Sequence, residues 1–460
     1  MRNYVFSLFL LNLGLFNFAI AQKSFTLTEA VQYAEKNSNT LKIQNLDKQD
    51  AKDLLTEYKA IGMPKLNAGI SYNYFINIPT SILPDFISPT VYNVLFDENI
   101  LPRRDLTYGS GIPAQFGTKN NLTAKLEFST LLFDGSFFVG LKAQQLYKEL
   151  ITRQITQTEV ETRYLVTKAY MAALAIKQNL NILDKNLDNL KKVLHDVSEV
   201  YKAGLTEKMD VDRLDLSLQN LNVEKDKLNR LYDLTLNLLK FQMSYPLNEE
   251  IELSQSFDEL INTSYIDIMD PSVKLNIQKR PEYAVIDQGR KLAEINIKRY
   301  KASYLPSLYG FASAQEGLQQ NNLFDSKENK WYPTTLVGVN LNIPIFDGFD
   351  RRAKISKAKT LLNKTNMQMT EFERGVTLAY ENSKTQYLNS LNTIDARKKT
   401  LALSEKIYQT SQTKFKNGVG SSLEVSSAER DLYSSQANFL EAQINLINAK
   451  IELDKALGNF

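Results

Sequence analysis

The sequence of 460 residues contains no cysteine, one histidine (His195) and one tryptophan (Trp331). Without cysteine there is no disulfide, no thiolate metal site, no cysteine nucleophile and no lipid anchored on an N-terminal cysteine. A single histidine excludes histidine-rich metal centres and leaves nothing for a Ser-His-Asp arrangement away from residue 195. No phosphate-cradling glycine loop is present, so no cofactor is expected. Glycine is sparse, with 18 residues, which fits a chain rich in helix. The net charge is only +3, far from the basic footprint of a nucleic-acid binder. Beyond the first 21 residues no run approaches the roughly 18 apolar residues of a membrane-spanning helix. If such a chain enters a bilayer, it must do so as a closed barrel of strands, because open strand edges cannot be satisfied in lipid.

What is present begins with a leader. Arg2 supplies a positive start, Val5 to Phe16 an apolar run, and Ala19-Ile20-Ala21 a small-residue cleavage pattern before Gln22. Residues 1–21 therefore read as an export signal, too short for a transmembrane anchor.

The remainder is a duplication. Lys59-Ala60-Ile61-Gly62-Met63-Pro64-Lys65-Leu66 is matched by Lys301-Ala302-Ser303-Tyr304-Leu305-Pro306-Ser307-Leu308. Leu132-Phe133-Asp134-Gly135 is matched by Ile345-Phe346-Asp347-Gly348, and Tyr201-Lys202-Ala203-Gly204-Leu205 by Phe415-Lys416-Asn417-Gly418-Val419. The landmarks keep one order, and only the segment between the proline and Phe-Asp-Gly changes length. The first copy thus carries an insertion within 79–118, which reads as an irregular loop around Pro84, Pro89, Pro102 and Pro113.

Each copy reads as helix, strand, loop, strand, long helix, turn, long helix. The first repeat is assigned to 22–245, with strands near 65–78 and 119–133 and helices 137–202 and 208–244. A polar, acidic linker spans 246–275. The second repeat is assigned to 276–460, with strands near 307–316 and 335–346 and helices 349–416 and 422–458. The strands alternate apolar and polar residues, as Leu122, Ala124, Leu126 and Phe128 do against Thr123, Lys125, Glu127 and Ser129, which suits a barrel with an apolar outer wall and a polar lumen. The strand from Leu308 is the weakest, with Tyr309 and Phe311 opposing Gly310 and Ala312. Tyr74, Phe75, Trp331 and Tyr332 lie near strand ends, where aromatics suit a membrane interface.

The helices give the stronger signal. From Val166 through Ala173, Leu183 and Leu190 to Val197 and Tyr201 the apolar residues step by threes and fours. A second seam runs from Val425 through Ala428, Leu432, Ser435 and Ala442 to Ala456, and both are heptad patterns. Gly204 and Gly418 are placed as left-handed helix stops. Thr206, and Ser421 or Ser422, are placed as caps of the following helices. His195, Lys191-Lys192 and Arg397-Lys398-Lys399 read as solvated helix surface. Four long helices do not easily make a compact bundle when strands must also form, and four strands cannot close a barrel of useful width, so both call for several copies of the chain.

These residues resemble the TolC-type outer-membrane efflux proteins over roughly Thr26 to Phe460. The resemblance rests on the duplication, the Phe-Asp-Gly after each second strand, the tips Tyr-Lys-Ala-Gly-Leu-Thr and Phe-Lys-Asn-Gly-Val-Gly, and the ending Lys455-Ala456-Leu457-Gly458. It implies a mainly α chain with a small β part, and a homotrimer whose twelve-stranded β-barrel continues into an α-helical barrel across the periplasm. It implies the exit duct of a tripartite efflux pump or type I secretion system, without enzymatic activity, cofactor or metal. The partners are a periplasmic adaptor (membrane fusion) protein, an inner-membrane pump of RND, ABC or MFS type, and outer-membrane lipid, with no nucleic acid. Gly204, Leu205, Thr206, Gly418, Val419 and Gly420 are implied as adaptor-contact tips, and 247–275 with the termini as an equatorial girdle. Some family members ring the narrow entrance with two acidic residues three apart. Here Glu424 takes the first place and Ser427 the second, with Asp210 the first-repeat counterpart of Glu424. For both acids the plain alternative is a favourable charge in a first helical turn. A competing reading is a periplasmic coiled-coil adaptor or scaffold, against which the duplicated strand-and-hairpin plan counts.

Overall fold

The computed structural model describes residues 23–84, 87–106, 111–262, 274–322 and 330–460. The export signal expected at 1–21 lies outside the described residues, as do parts of the insertion and of the linker. Along the chain run β1 (Lys23–Phe25), α1 (Leu27–Asn37), α2 (Asn39–Ile61), β2 (Lys65–Tyr74), β3 (Thr80–Leu83), α3 (Ile87–Asp97), β4 (Ile112–Gln115) and β5 (Asn120–Phe133). Then come α4 (Gly135–Lys202), α5 (Lys208–Met243), β6 (Ile251–Leu253), α6 (Phe257–Asn262), α7 (Pro281–Ala302), β7 (Ser307–Gln320), β8 (Trp331–Asn342), α8 (Asp350–Lys416) and α9 (Ser422–Leu457). The chain divides into two units, one of Met1–Lys52, Leu146–Ala293 and Thr360–Phe460, the other of Asp53–Gln145 and Glu294–Lys359.

The second unit holds a four-stranded antiparallel sheet in the order β2-β5-β7-β8. Its register assembles one apolar face in cross-strand rows. Leu66, Phe128, Ala312 and Val337 form one row, and Tyr72, Leu122, Leu318 and Trp331 another. In the first row the small Ala312 sits between Phe128 and Val337, whereas the second row is large throughout. β7 reverses the expected division of its strand. The register sets Phe311 opposite Ser129, on the polar face, and Ala312 opposite Phe128, on the apolar face. The reason is local. A Cβ built on Gly338 would lie 2.5 Å from Phe311 Cζ, so the ring rests over a residue that leaves it room. Glu316 is the one charged side chain of this apolar face among the described residues. The four strands do not close on themselves, and β2 and β8 are open edges.

Several strand boundaries differ from expectation: β2 ends at Tyr74 rather than near 78, and β8 begins at Trp331 rather than near 335. The last strand ends at Asn342 rather than near 346, because Pro344 cannot donate to a ladder. β7 continues to Gln320, four residues past the expected end, since the pairing with β5 runs through Gln320 opposite Asn120. The insertion also corrects the sequence reading. It is not irregular throughout, for β3 and β4 pair antiparallel and α3 lies between them in sequence.

The helix α4 has 68 residues, about 100 Å at 1.5 Å per residue. The Phe-Asp-Gly motifs start both long helices. Asp134 Oδ1 accepts the Phe137 N–H at 2.9 Å and the Ser136 hydroxyl at 2.6 Å. Asp347 Oδ2 accepts the Arg351 N–H at 3.0 Å. Each carboxylate satisfies an otherwise orphaned donor at a positive helix end. The seams then bury as their spacing predicts. Leu183, Leu187 and Leu228 form one α4–α5 cluster, and Tyr387, Ile394, Leu446 and Leu453 one α8–α9 cluster. The largest core gathers α1, α4, α5 and α9 around the parallel pair β1–β6, with the buried Tyr170 hydroxyl donating to Phe25 O at 2.9 Å. The linker thus contributes β6 to a sheet with the N-terminal strand. His195 is exposed.

Replacing Asp134 or Asp347 by alanine removes a helix cap, so each variant is expected to lose about 1 kcal/mol of stability. Thermal melting of the folded protein checks this, with Asp→Asn, a capable cap, keeping most of the native stability.

Candidate functional site at the two hairpin tips

Both hairpins turn by the same device. In the first, Gly204 has φ +75 and the Leu205 N–H reaches Val200 O at 3.1 Å. In the second, Gly418 has φ +73 and the Val419 N–H reaches Lys414 O at 3.0 Å. This six-to-one closure around a left-handed residue is the Schellman stop, which glycine adopts without steric cost. Leu205 and Val419 are left at the outermost positions, 80% and 78% exposed. Leu423 and Met209 add further exposed apolar surface beside them.

The helix starts differ. Ser421 caps α9, its hydroxyl accepting the Glu424 N–H at 3.2 Å. Thr206 does not cap α5, contrary to the sequence expectation. The N-cap is Glu207, which makes no side-chain capping bond. Thr206 instead donates its hydroxyl to Asp210 Oδ2 at 2.6 Å. Gly420, the counterpart of Thr206, is needed for space, since a Cβ there would lie 3.0 Å from the Phe415 nitrogen.

Asp210 is the centre of the site. It receives hydrogen bonds from the hydroxyls of Thr206 and Ser422, the latter across to the second hairpin, and from the Glu207 N–H. Arg213 stands 3.8 Å away. Burial pushes the carboxyl up, but the Ser422 and Thr206 hydroxyls, the Glu207 N–H and Arg213 more than offset it and hold it below the usual range. Glu424 occupies the same place in the second repeat, three residues into its helix, and is exposed. The structure therefore separates the paired acids. Asp210 is consumed by contacts inside the chain, whereas Glu424 is free to face solvent or a neighbour.

A cleft of about 800 Å³ opens between the tips, lined by Val193, Val197, Met209, Phe415, Leu423 and Val425 with Asp210 and Arg213 at its polar side. The apolar side chains share the lining with as many polar ones, Asp196, Glu207, Gln412 and Lys416 among them. The Asp210–Ser422 bond is not legible in the sequence, where spacing offers Ser422 only as a cap. Among the described residues no group of three or more His, Asp or Glu side chains could hold a metal ion, and no helix is long and apolar enough to cross a membrane.

Comparison with known proteins adds to this geometry. Residues 273–459 match the family model of the outer membrane efflux proteins. A solvent efflux pump outer membrane protein of Pseudomonas putida is 28% identical over 192 residues, 39% of this chain. That match spans only 37% of the relative's own length. The pyoverdine export outer membrane protein of Pseudomonas aeruginosa is 22% identical over 433 residues, covering 89% of this chain and 88% of that protein. An alkaline protease secretion protein of the same species is 22% identical over 38% of this chain and 36% of its own length. Among solved structures, the Campylobacter jejuni CmeC outer membrane channel superposes with a TM-score of 0.70 at 15% identity, over 94% of this chain and 85% of that one. The outer membrane protein VceC of Vibrio cholerae gives 0.66 at 16% identity, over 94% and 96%. The resemblance to TolC-type proteins read from the sequence is thereby shown, and the fold is that of these channels.

Because the folded-state pKa of Asp210 is depressed, its contribution to the tip contact is fully present above the unfolded value of about 3.9 and is lost as pH falls through the folded value. Hydrogen exchange over residues 204–214 is expected to rise in that acid window for the native protein. Asp210→Asn should show the raised exchange already at neutral pH and little change on acidification.

Proposed function

We propose, from its kinship with the outer membrane efflux proteins over residues 273–459, that this chain is the outer-membrane exit duct of an efflux or secretion assembly. It works as a homotrimer, and no reaction is catalysed. The observation that carries the reading is the four-stranded sheet with one apolar face and two open edges. Strand order β2-β5-β7-β8 with every neighbour antiparallel makes β2 and β8 opposite in direction. One copy's β8 can then pair antiparallel with the next copy's β2, and three copies close twelve strands without an edge. The apolar face turns to lipid, with Tyr72, Tyr74 and Trp331 towards one rim. Glu316 lies one row from Trp331 on this face, about 7 Å along the strand, close enough for a carboxylate to reach water. Residues 1–21 direct export, and the helical hairpins build the periplasmic tunnel.

The tips are the docking end. Leu205 and Val419, projecting beside Gly204, Thr206, Gly418 and Gly420, offer small apolar contacts to a periplasmic adaptor that links the duct to an inner-membrane pump of RND, ABC or MFS type. Three copies of exposed Glu424 ring the entrance and favour cations, while Asp210 holds the two hairpins of one chain together. Relatives named for solvent, pyoverdine and protease export share the plan, so the pump selects the cargo and the duct passes it. The duplicated sheet disfavours the alternative of a periplasmic adaptor.

The absence of cysteine makes a direct test available. Asn340→Cys on β8 is combined in turn with Asn67→Cys, Ser71→Cys and Asn73→Cys on β2, all on the polar face. Within one chain β5 and β7 separate these strands by about 14 Å, beyond the reach of a disulfide. Oxidation of the membrane-embedded protein is expected to give covalent dimers and trimers for at least one pair. Monomer alone for every pair would defeat the reading. In planar bilayers Glu424→Gln is expected to lower cation over anion permeability, read as a reversal potential closer to zero. An unchanged potential would remove the entrance ring.

A further inference from the structure

One buried carboxyl has no part in the duct as described. Glu429 lies on α9 and is 2% exposed. Tyr433, one turn further, donates its hydroxyl to Glu429 Oε1 at 2.8 Å. Tyr408 of α8 is hydrogen-bonded to the same carboxyl and accepts from Gln412 Nε2 at 2.7 Å. The surrounding layer is apolar, made by Val425, Ala428 and Leu432. Its hydrogen-bond partners are two phenols and no cation. The cleft that Tyr408 borders carries Glu405 and Lys416 of α8 and Lys192 and Asp196 of α4. On α9 itself Arg430 and Asp431 follow in sequence and are exposed.

The fold does not require this arrangement. In the first repeat the equivalent positions are Asp215, Leu194 and Gln219. Asp215 is exposed, and Leu194 packs in the α4–α5 seam. The first hairpin therefore closes its corresponding level with a leucine and buries no acid. A buried acid is costly unless it is neutral or well paired. Burial raises the carboxyl above its ordinary range, and the two phenols counter only part of that. Burial likewise raises both tyrosine hydroxyls, so neither supplies a charge of its own.

We propose that Glu429 is a proton-binding site that sets the closure of the α8–α9 hairpin. Protonated, the carboxyl is a neutral member of an apolar layer with Tyr408 and Tyr433, and the helices stay tightly joined. Ionised, it carries an unpaired charge that draws water, and α8 and α9 part at this level. A folded-state pKa above the unfolded value means that the closed form is fully favoured below about pH 4.3 and loses that advantage as pH rises through the folded value. The proton passes to and from bulk water. Its consequence for passage through the duct rests on the function proposed above, whereas the hairpin response does not.

The full chain, naturally free of cysteine, is spin-labelled at Lys406→Cys on α8 and Ser434→Cys on α9, both exposed positions. Inter-label distances are measured in steps of pH from below the ordinary glutamate value of about 4.3 into the alkaline range. The native pair is expected to give a narrow distribution in acid and a distribution roughly twice as wide, centred further apart, at the alkaline end. Glu429→Gln, a neutral isostere, should stay narrow throughout. Tyr433→Phe removes a donor to the carboxylate and should move the midpoint to higher pH. A native distribution that ignores pH, a glutamine variant that still responds, or a Tyr433→Phe midpoint moving to lower pH would each overturn the proposal. Bilayer conductance of the same proteins separates the two ideas. A spin-label response without any pore defeats the duct and leaves the proton site standing, while a pore with no spin-label response does the reverse.

Discussion

Hydrogen bonding of the backbone at the edges of one sheet governs the rest of the molecule. β2 and β8 each present a row of unpaired N–H and C=O groups, and the sheet they bound has a face of Leu, Ile, Val, Tyr and Trp. Water could satisfy the edges but not the face; hydrocarbon could satisfy the face but not the edges, where each unpaired group costs several kcal/mol. The pairing between copies proposed above would satisfy both at once.

The helical unit poses the same demand in another form. Its seams bury one stripe of each helix, yet α5 keeps Val223, Leu234 and Phe241 exposed and α8 keeps Met367 and Leu378 exposed. Helices of 67 and 68 residues gain little from intrinsic propensity and are held by packing on more than one side. Polar layers interrupt the seams at fixed levels. Asn186 donates to Gln436 at 2.6 Å, and Ser404 and Ser435 share a hydrogen bond of 2.8 Å. Such layers contribute less than leucine would. They penalise a slipped register, because a shift of one turn leaves each amide or hydroxyl buried without its partner.

Period and punctuation in the sequence carried most of this fold. The heptad stepping from Val166 to Val197 appears as a buried stripe, and Gly204 and Gly418 stop their helices as glycine at such positions should. Boundaries set by pairing were not legible, since β7 continues from Gly317 to Gln320 only because β5 lies beside it. The site was half legible. Its turns follow from local chemistry, but the bond between Asp210 and Ser422 joins residues 212 apart, and no local pattern announces it. The same holds for Glu429, which by spacing alone is a helix-surface acid flanking Ala428. Its burial depends on Tyr408, contributed by a different helix.

Duplication made the two hairpins alike, and the interesting chemistry lies where they have since diverged. Asp210 and Glu424 hold the same place in their helices, and so do Lys208 and Ser422. Within the chain the acid of the first repeat meets the serine of the second, a contact of hydroxyl and carboxylate that changes little with salt. Glu424 and Lys208 are both exposed, so any contact either one makes with a neighbouring copy in the ring proposed above is weak and screened by salt. Two identical hairpins would alternate around a ring with six equal joints. In the proposed ring, divergence at these four positions would make the joint within each chain, held by Asp210 and Ser422, firmer than the joint between chains.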